Sequence, residues 1–131
     1  MRSFDWSRHA ELTAAPATAA DARELVTTYL AEHGLSDLCD PVRVVVSELV
    51  TNALVHARKP FTVTLSQSSR TLLVRVEDES TEPPIVRTPG PMADSGHGLR
   101  IVEALSRDWG FVPGEESKVV WATFSKPPGA R

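Results

Sequence analysis

Residues 41–57 read Pro-Val-Arg-Val-Val-Val-Ser-Glu-Leu-Val-Thr-Asn-Ala-Leu-Val-His-Ala, a run in which most positions are apolar. The length predicts a helix of about four turns, opened by Asp40 as a capping side chain and Pro41 as a pre-set first residue. So apolar a helix is expected to be buried nearly all round. Glu48, Asn52 and His56 then stand out as polar side chains climbing one side, each offset from the last by roughly 40 degrees. A solvated face is one explanation, but such a stripe normally carries several Lys, Glu and Arg. The other is function, because a buried carboxylate without a metal, a cation or a task is costly. His56 also reads as a helix-end histidine bonded to backbone.

The remaining pattern supplies the elements around this helix. Residues 2–14 mix Phe4, Trp6 and Leu12 with charge and suggest a first strand of imperfect alternation. Thr18 and Asp21 stand at capping-box spacing, and Ala22, Leu25, Val26, Tyr29 and Leu30 follow at helical spacing until Gly34, which predicts an amphipathic helix. Residues 36–40 link it to the central helix, which should end near Ala57, where Arg58, Lys59 and Pro60 break the pattern. Residues 61–66 and 72–76 alternate on either side of a polar stretch, 67–70, and predict a β-hairpin. Residues 80–95 carry Pro83, Pro84, Pro89, Gly90 and Pro91, a loop long for a compact domain. A third helix is expected from Leu99 and should end before Trp109 and Gly110. Phe111 and Val112, a turn over 113–117 and a strand over 119–124 then read as a final hairpin. Residues 126–131 are expected to fray. The order β-α-α-β-β-α-β-β defines an α/β chain, and its two hairpins require antiparallel pairing.

Bulk composition narrows the function classes. The chain has 131 residues, one domain of ordinary size, with 41% hydrophobic and 24% charged residues, as in folded soluble proteins. A net charge of -3 with scattered basic residues argues against direct contact with nucleic acid. There is no run long enough to span a membrane and no signal-peptide core at the N-terminus, so a cytoplasmic location is expected. Cys39 is the only cysteine, which excludes an internal disulfide and a thiolate metal cluster. It reads as a small buried residue near a helix start rather than a reactive thiol.

Three separated pieces would together suit a nucleotide. Glu48 and Asn52 can offer a carboxylate and an amide oxygen to a hard cation such as Mg²⁺, which would bridge to phosphates. Asp78, at a strand end, can accept a hydrogen bond from an exocyclic amine such as N6 of adenine. Gly96 and Gly98 precede a helix, where bare backbone N–H groups can approach phosphate oxygens. Each piece alone has a plainer reading: Gly-x-Gly is commonly just a turn, and a strand-end Asp commonly a turn former.

Taken in order, these pieces resemble the N, G1 and G2 boxes of the gyrase, Hsp90, histidine-kinase and MutL superfamily of ATP-binding domains. The nearest resemblance is to the small anti-sigma factor serine kinases of Gram-positive bacteria and their actinobacterial relatives. Ser47-Glu48-Leu49-Val50-Thr51-Asn52-Ala53 with His56-Ala57 is similar to their N box. Gly96-His97-Gly98-Leu99 with Val102 is similar to their G2 box, and Trp109-Gly110 with Lys118-Val119-Val120-Trp121 to their C-terminal hairpin. The resemblance runs from about Ala14 to Phe124. It departs at Ser80, where the family's G1 box has glycine two residues after the aspartate.

The resemblance implies a two-layer α/β sandwich of the Bergerat type, a mixed and mostly antiparallel sheet with three helices on one face. It implies ATP and Mg²⁺ as cofactors. The residues carried over are Glu48 as catalytic base, Asn52 as Mg²⁺ ligand, and Asp78, Ser80, Gly96, His97, Gly98 and Leu99 around the nucleotide. The activity it implies is that of a protein-serine kinase and anti-sigma factor, with a sigma factor and a small STAS-type anti-anti-sigma protein as partners. A second function is left open by Ser80: a module that sequesters a partner without kinase activity. Family members act as homodimers, and Phe4 and Trp6 at a sheet edge would suit a dimer surface or a core role equally.

Overall fold

The computed structural model describes residues 4–15, 17–56, 60–79, 98–114 and 117–126, with Val55 and His56 described in backbone only. Its elements are β1 (Trp6–Leu12), α1 (Thr18–Glu32), a 3₁₀ turn (Ser36–Leu38), α2 (Cys39–His56), β2 (Phe61–Ser68), β3 (Thr71–Asp78), α3 (Gly98–Leu105), β4 (Asp108–Pro113) and β5 (Lys118–Ser125). The strands form one sheet in the order β1-β2-β3-β5-β4. All four pairings are antiparallel, so the mixed sheet expected from the resemblance has no parallel pair among the described residues.

The sheet follows from alternation. Phe61, Val63 and Leu65 of β2, Leu72, Val74 and Val76 of β3, and Val120, Ala122 and Phe124 of β5 are all buried, and they share one face because strand side chains repeat every second residue. Against that face lies a single core completed by α1, α2 and α3. Helix α2 packs between α1 and α3 and crosses β3 and β5, contributing Val42, Val45, Val46, Leu49, Val50 and Ala53. Full burial of each Val or Leu is worth about 1.5–3 kcal/mol, so this seam is the main adhesive between the layers.

Local chemistry departs from the sequence reading at several ends. Thr18 does not cap α1. Ala17 holds the cap position without a side-chain bond, while the Thr18 hydroxyl donates to Thr13 O at 2.6 Å and accepts from Ala15 N at 3.1 Å, tying the β1–α1 connection. The other end of α1 stops where Gly34 predicts, at a φ of 71°. There Leu35 N donates to Leu30 O at 2.8 Å and Gly34 N to Ala31 O at 3.4 Å, the paired bonds of a Schellman motif, with Leu30 and Leu35 both buried.

Asp40 does not cap α2 either. The 3₁₀ turn runs directly into a helix that starts at Cys39, which places Asp40 and Pro41 inside the first turn. Pro41 is tolerated there because the first amides of a helix have no intrahelical acceptor, and the Asp40 charge complements the helix dipole. Cys39 is half-buried rather than buried, its Sγ donating to Thr27 Oγ1 at 3.7 Å.

The expectation that α2 is buried nearly all round is overturned. Asp40, Arg43, Val44 and Thr51 are exposed, Val44 to 42%, because α1 and α3 cover its flanks and the sheet its base while the outer face stays open. In the first hairpin Gln67 and Ser68 pair into the sheet, leaving only Ser69 and Arg70 as the turn. Strand β4 begins at Asp108, earlier than expected, and takes in Trp109 and Gly110. The expected loop over 80–95 and residues 127–131 of the expected tail lie outside the described residues, whereas Lys126, the first residue of that tail, is tied down by its N–H donating to Arg70 O at 2.8 Å.

Candidate nucleotide site

Glu48 and Asn52 are both half-buried on α2, four residues and so about 6 Å of rise apart. Glu48 borders a surface groove of about 420 Å³ lined by Arg23, Asp40, Arg43, Val44, Ser47 and Glu48 itself. Arg23 Nη1 donates to Ser47 Oγ at 2.9 Å, which ties α1 to the residue preceding Glu48. Glu48 and Asn52 therefore lie along the edge of the open face of α2, with Glu48 reachable from solvent. His56 is the last helical residue, and its side chain lies outside the described residues.

Asp78 is the last residue of β3 and only 2% exposed. A mere turn former would be solvated, whereas this carboxylate is buried on the helix-covered face, in register with Val74 and Val76. Thr62 pairs with Glu77, so Asp78 lies at the end of the sheet where β2 begins. The chain enters β2 five residues after α2 ends, which brings the C-terminal part of α2 to the same end. Gly98 opens α3, and Leu99 is 3% exposed within the core, so Leu99 holds the start of α3 down by packing. Helix α3 hands over to β4 at the opposite end of the sheet, where Asp108 pairs with Thr123. Ser80, Gly96 and His97 lie outside the described residues.

The sequence reading placed Lys118 in the C-terminal hairpin but did not single it out as a site residue. This lysine is 1% exposed, among the largest fully buried side chains, and stands directly opposite Asp78 across β3 and β5. A signal was present: carrying the alternation of Val120, Ala122 and Phe124 back by one step puts Lys118 on the same inward face.

The donor set suits a nucleotide better than a bare metal. Among the described residues no group of three His, Cys, Asp or Glu side chains could hold a metal ion. Mg²⁺ needs no such cage, since it is commonly held by one or two protein oxygens plus substrate phosphates, a role the amide oxygen of Asn52 can fill. The buried carboxylate of Asp78 beside a buried ammonium supplies an acceptor and donors for the edge of a base. A larger concavity, about 740 Å³, lies on the helix-free face of the sheet around Trp121 and contains none of these residues.

Comparison with known proteins identifies the family and the fold. The sequence profile of the histidine kinase-like ATPase domain matches residues 12–124, and the chain belongs to that family. No curated protein matches it significantly in sequence. Among solved structures, the fold is similar to the RsbU and RsbW domains of Rv1364c from Mycobacterium tuberculosis, with a TM-score of 0.70 and 21% identity over 95% of this chain. The chain spans 34% of that protein's length. It is also similar to the Acinetobacter baumannii histidine kinase AdeS, with a TM-score of 0.53 and 16% identity, covering 90% of this chain and 67% of that one. No helix among the described residues is long and apolar enough to cross a membrane.

Proposed function

We propose that the 131-residue chain works as one ATP-binding domain, a cytoplasmic protein-serine kinase that is also an anti-sigma factor. It holds a sigma factor, and it phosphorylates a serine on a small STAS-type anti-anti-sigma partner, which switches the complex. The observation that carries the nucleotide part is the burial of the Asp78 carboxylate at the end of β3, 2% exposed on the helix-covered face. The likeness to a structure containing an RsbW domain supports the regulatory part.

Bound ATP would supply the γ-phosphoryl group, with Mg²⁺ neutralising its charge. Asp78 would accept a hydrogen bond from the base amine, and Asn52 would contribute an oxygen to the metal. The N-terminal turn of α3, opened by Gly98, directs backbone N–H groups toward phosphate. Glu48, half-buried at the rim of an open groove, is accessible to a protein substrate and takes the proton of the attacking serine hydroxyl.

Ser80, where the family has glycine, favours a second reading in which the fold sequesters its partner with weak or no ATP turnover. Incubating the chain with Mg²⁺, γ-labelled ATP and candidate STAS domains separates the two. Label on a partner serine supports the kinase; tight partner binding without transfer supports the sequestering module.

A further inference from the structure

A lysine buried to 1% exposure is rare, and its ammonium must be met by anions or acceptors. Lys118 meets that requirement at a particular place. It lies directly opposite Asp78, so their Cβ atoms are about 4.5–5.5 Å apart on the same inward face. Neither residue is without an interaction partner in the folded chain. The pair sits at the end of the two inner strands β3 and β5, on the face that the helix layer covers. An ammonium has three donors and no acceptor, and a carboxylate is acceptor only, so the pair offers both polarities side by side.

We infer that Lys118 reads the base together with Asp78: its ammonium donates to ring nitrogen N1 of adenine while the carboxylate accepts from the adjacent N6 amine. This rests on the nucleotide reading above and extends it to a residue outside the N, G1 and G2 boxes. Adenine presents an amine donor next to a ring-nitrogen acceptor, which matches carboxylate and ammonium in turn. Guanine in the same pose sets its O6 acceptor against the carboxylate and its N1–H donor against the ammonium. Both contacts are then repulsive, and a polar group left unmatched in a buried site is costly. Lys118 is thus a specificity-determining residue that selects ATP over GTP.

Calorimetry with ATP and with 1-deaza-ATP, in which N1 is replaced by C–H, tests this on the unmodified chain. The analogue is expected to bind roughly ten- to a hundred-fold more weakly, the range for a hydrogen bond to a charged group. In Lys118→Met, of similar size and checked for folding by its melting transition, ATP is expected to bind as weakly as the analogue and the two ligands no longer to differ. Equal binding of ATP and 1-deaza-ATP by the unmodified chain overturns the inference, whether or not the variant folds. So does a folded Lys118→Met that still discriminates between them. If ATP binds and Asp78→Asn weakens it while 1-deaza-ATP matches ATP, the nucleotide site stands and only the role of Lys118 falls. If the unmodified chain binds no ATP, both fall.

Discussion

The indole of Trp6 lies flat on the imidazole of His33, with ring centroids 3.8 Å apart and planes 5° from parallel. This stack fastens edge strand β1 to the end of α1, and Trp6 Nε1 adds a 2.6 Å bond to Gln67 Oε1 on the neighbouring strand. His33 Nε2 is buried with no hydrogen-bond partner among the described residues, so the ring is held by stacking rather than by polar contact. Trp6→Ala should cost about 1–3 kcal/mol, the stacking term plus lost apolar burial. Urea unfolding gives the value, and a loss below a few tenths of a kcal/mol would show that the stack contributes nothing.

Gly34 gives a cleaner backbone test. A Cβ there would meet nothing within 4 Å, so Gly34→Ala isolates the cost of a left-handed φ of 71°. That cost is about 1–2 kcal/mol. An unchanged denaturation midpoint would mean that the Schellman turn re-forms in another conformation.

Self-association is expected through the helix-free face of the sheet. Phe4, 41% exposed, and Val112 border the concavity around Trp121, whereas Trp6 is engaged with His33 and Gln67 and is not a free dimer surface. Light scattering at high micromolar concentration should give a dimer, and Val112→Glu should shift it toward monomer. A monomeric unmodified chain under those conditions removes the homodimer from the account.

Much of the architecture was legible because simple periods dominate it. Phe61 to Leu65 and Leu72 to Val76 alternate cleanly, and Gly34 marks a helix end that only a residue tolerant of positive φ forms cheaply. The first strand was harder to read. One of its inward positions is Arg8, which pairs with Glu32 at 2.8 Å and lies over the Tyr29 ring at 4.4 Å, so a cation occupies a place where the pattern asks for an apolar residue. The Glu32 hydrogen bond raises the pKa of Arg8 further above its ordinary value, leaving it charged throughout the accessible pH range. Helix α2 misled in the other direction. Its valines outnumber the surfaces that can cover them, and only tertiary packing decides that Val44 is left outside. In the proposed site, Asp78 stood out at a strand end. Lys118 was passed over because a lysine at a turn is ordinarily solvated, although the alternation of β5 carries it to the inward face.

Glu48 and Asn52 should fail differently. Asn52→Ala is expected to weaken Mg-ATP binding and abolish transfer. Glu48→Gln, nearly isosteric, should leave ATP binding within a few-fold and lower transfer by about 10²- to 10⁴-fold, the usual contribution of a positioned base. It should still hold a sigma factor. If both variants bind ATP and transfer phosphate like the unmodified chain, the two side chains belong to the solvated edge of α2 and the catalytic assignment fails.

The proposed nucleotide site rests on the buried carboxylate of Asp78. Replacing it with Asn turns half of an acceptor-only group into a donor facing the base amine, at a cost of about 1–3 kcal/mol in a buried contact. The direct measurement is titration calorimetry of Mg-ATP into the unmodified chain and into Asp78→Asn, with melting curves confirming that both are folded. The expected result is measurable binding by the first and roughly five- to a hundred-fold weaker binding by the second. Equal affinity in the two folded proteins would contradict the assignment of Asp78 to the base.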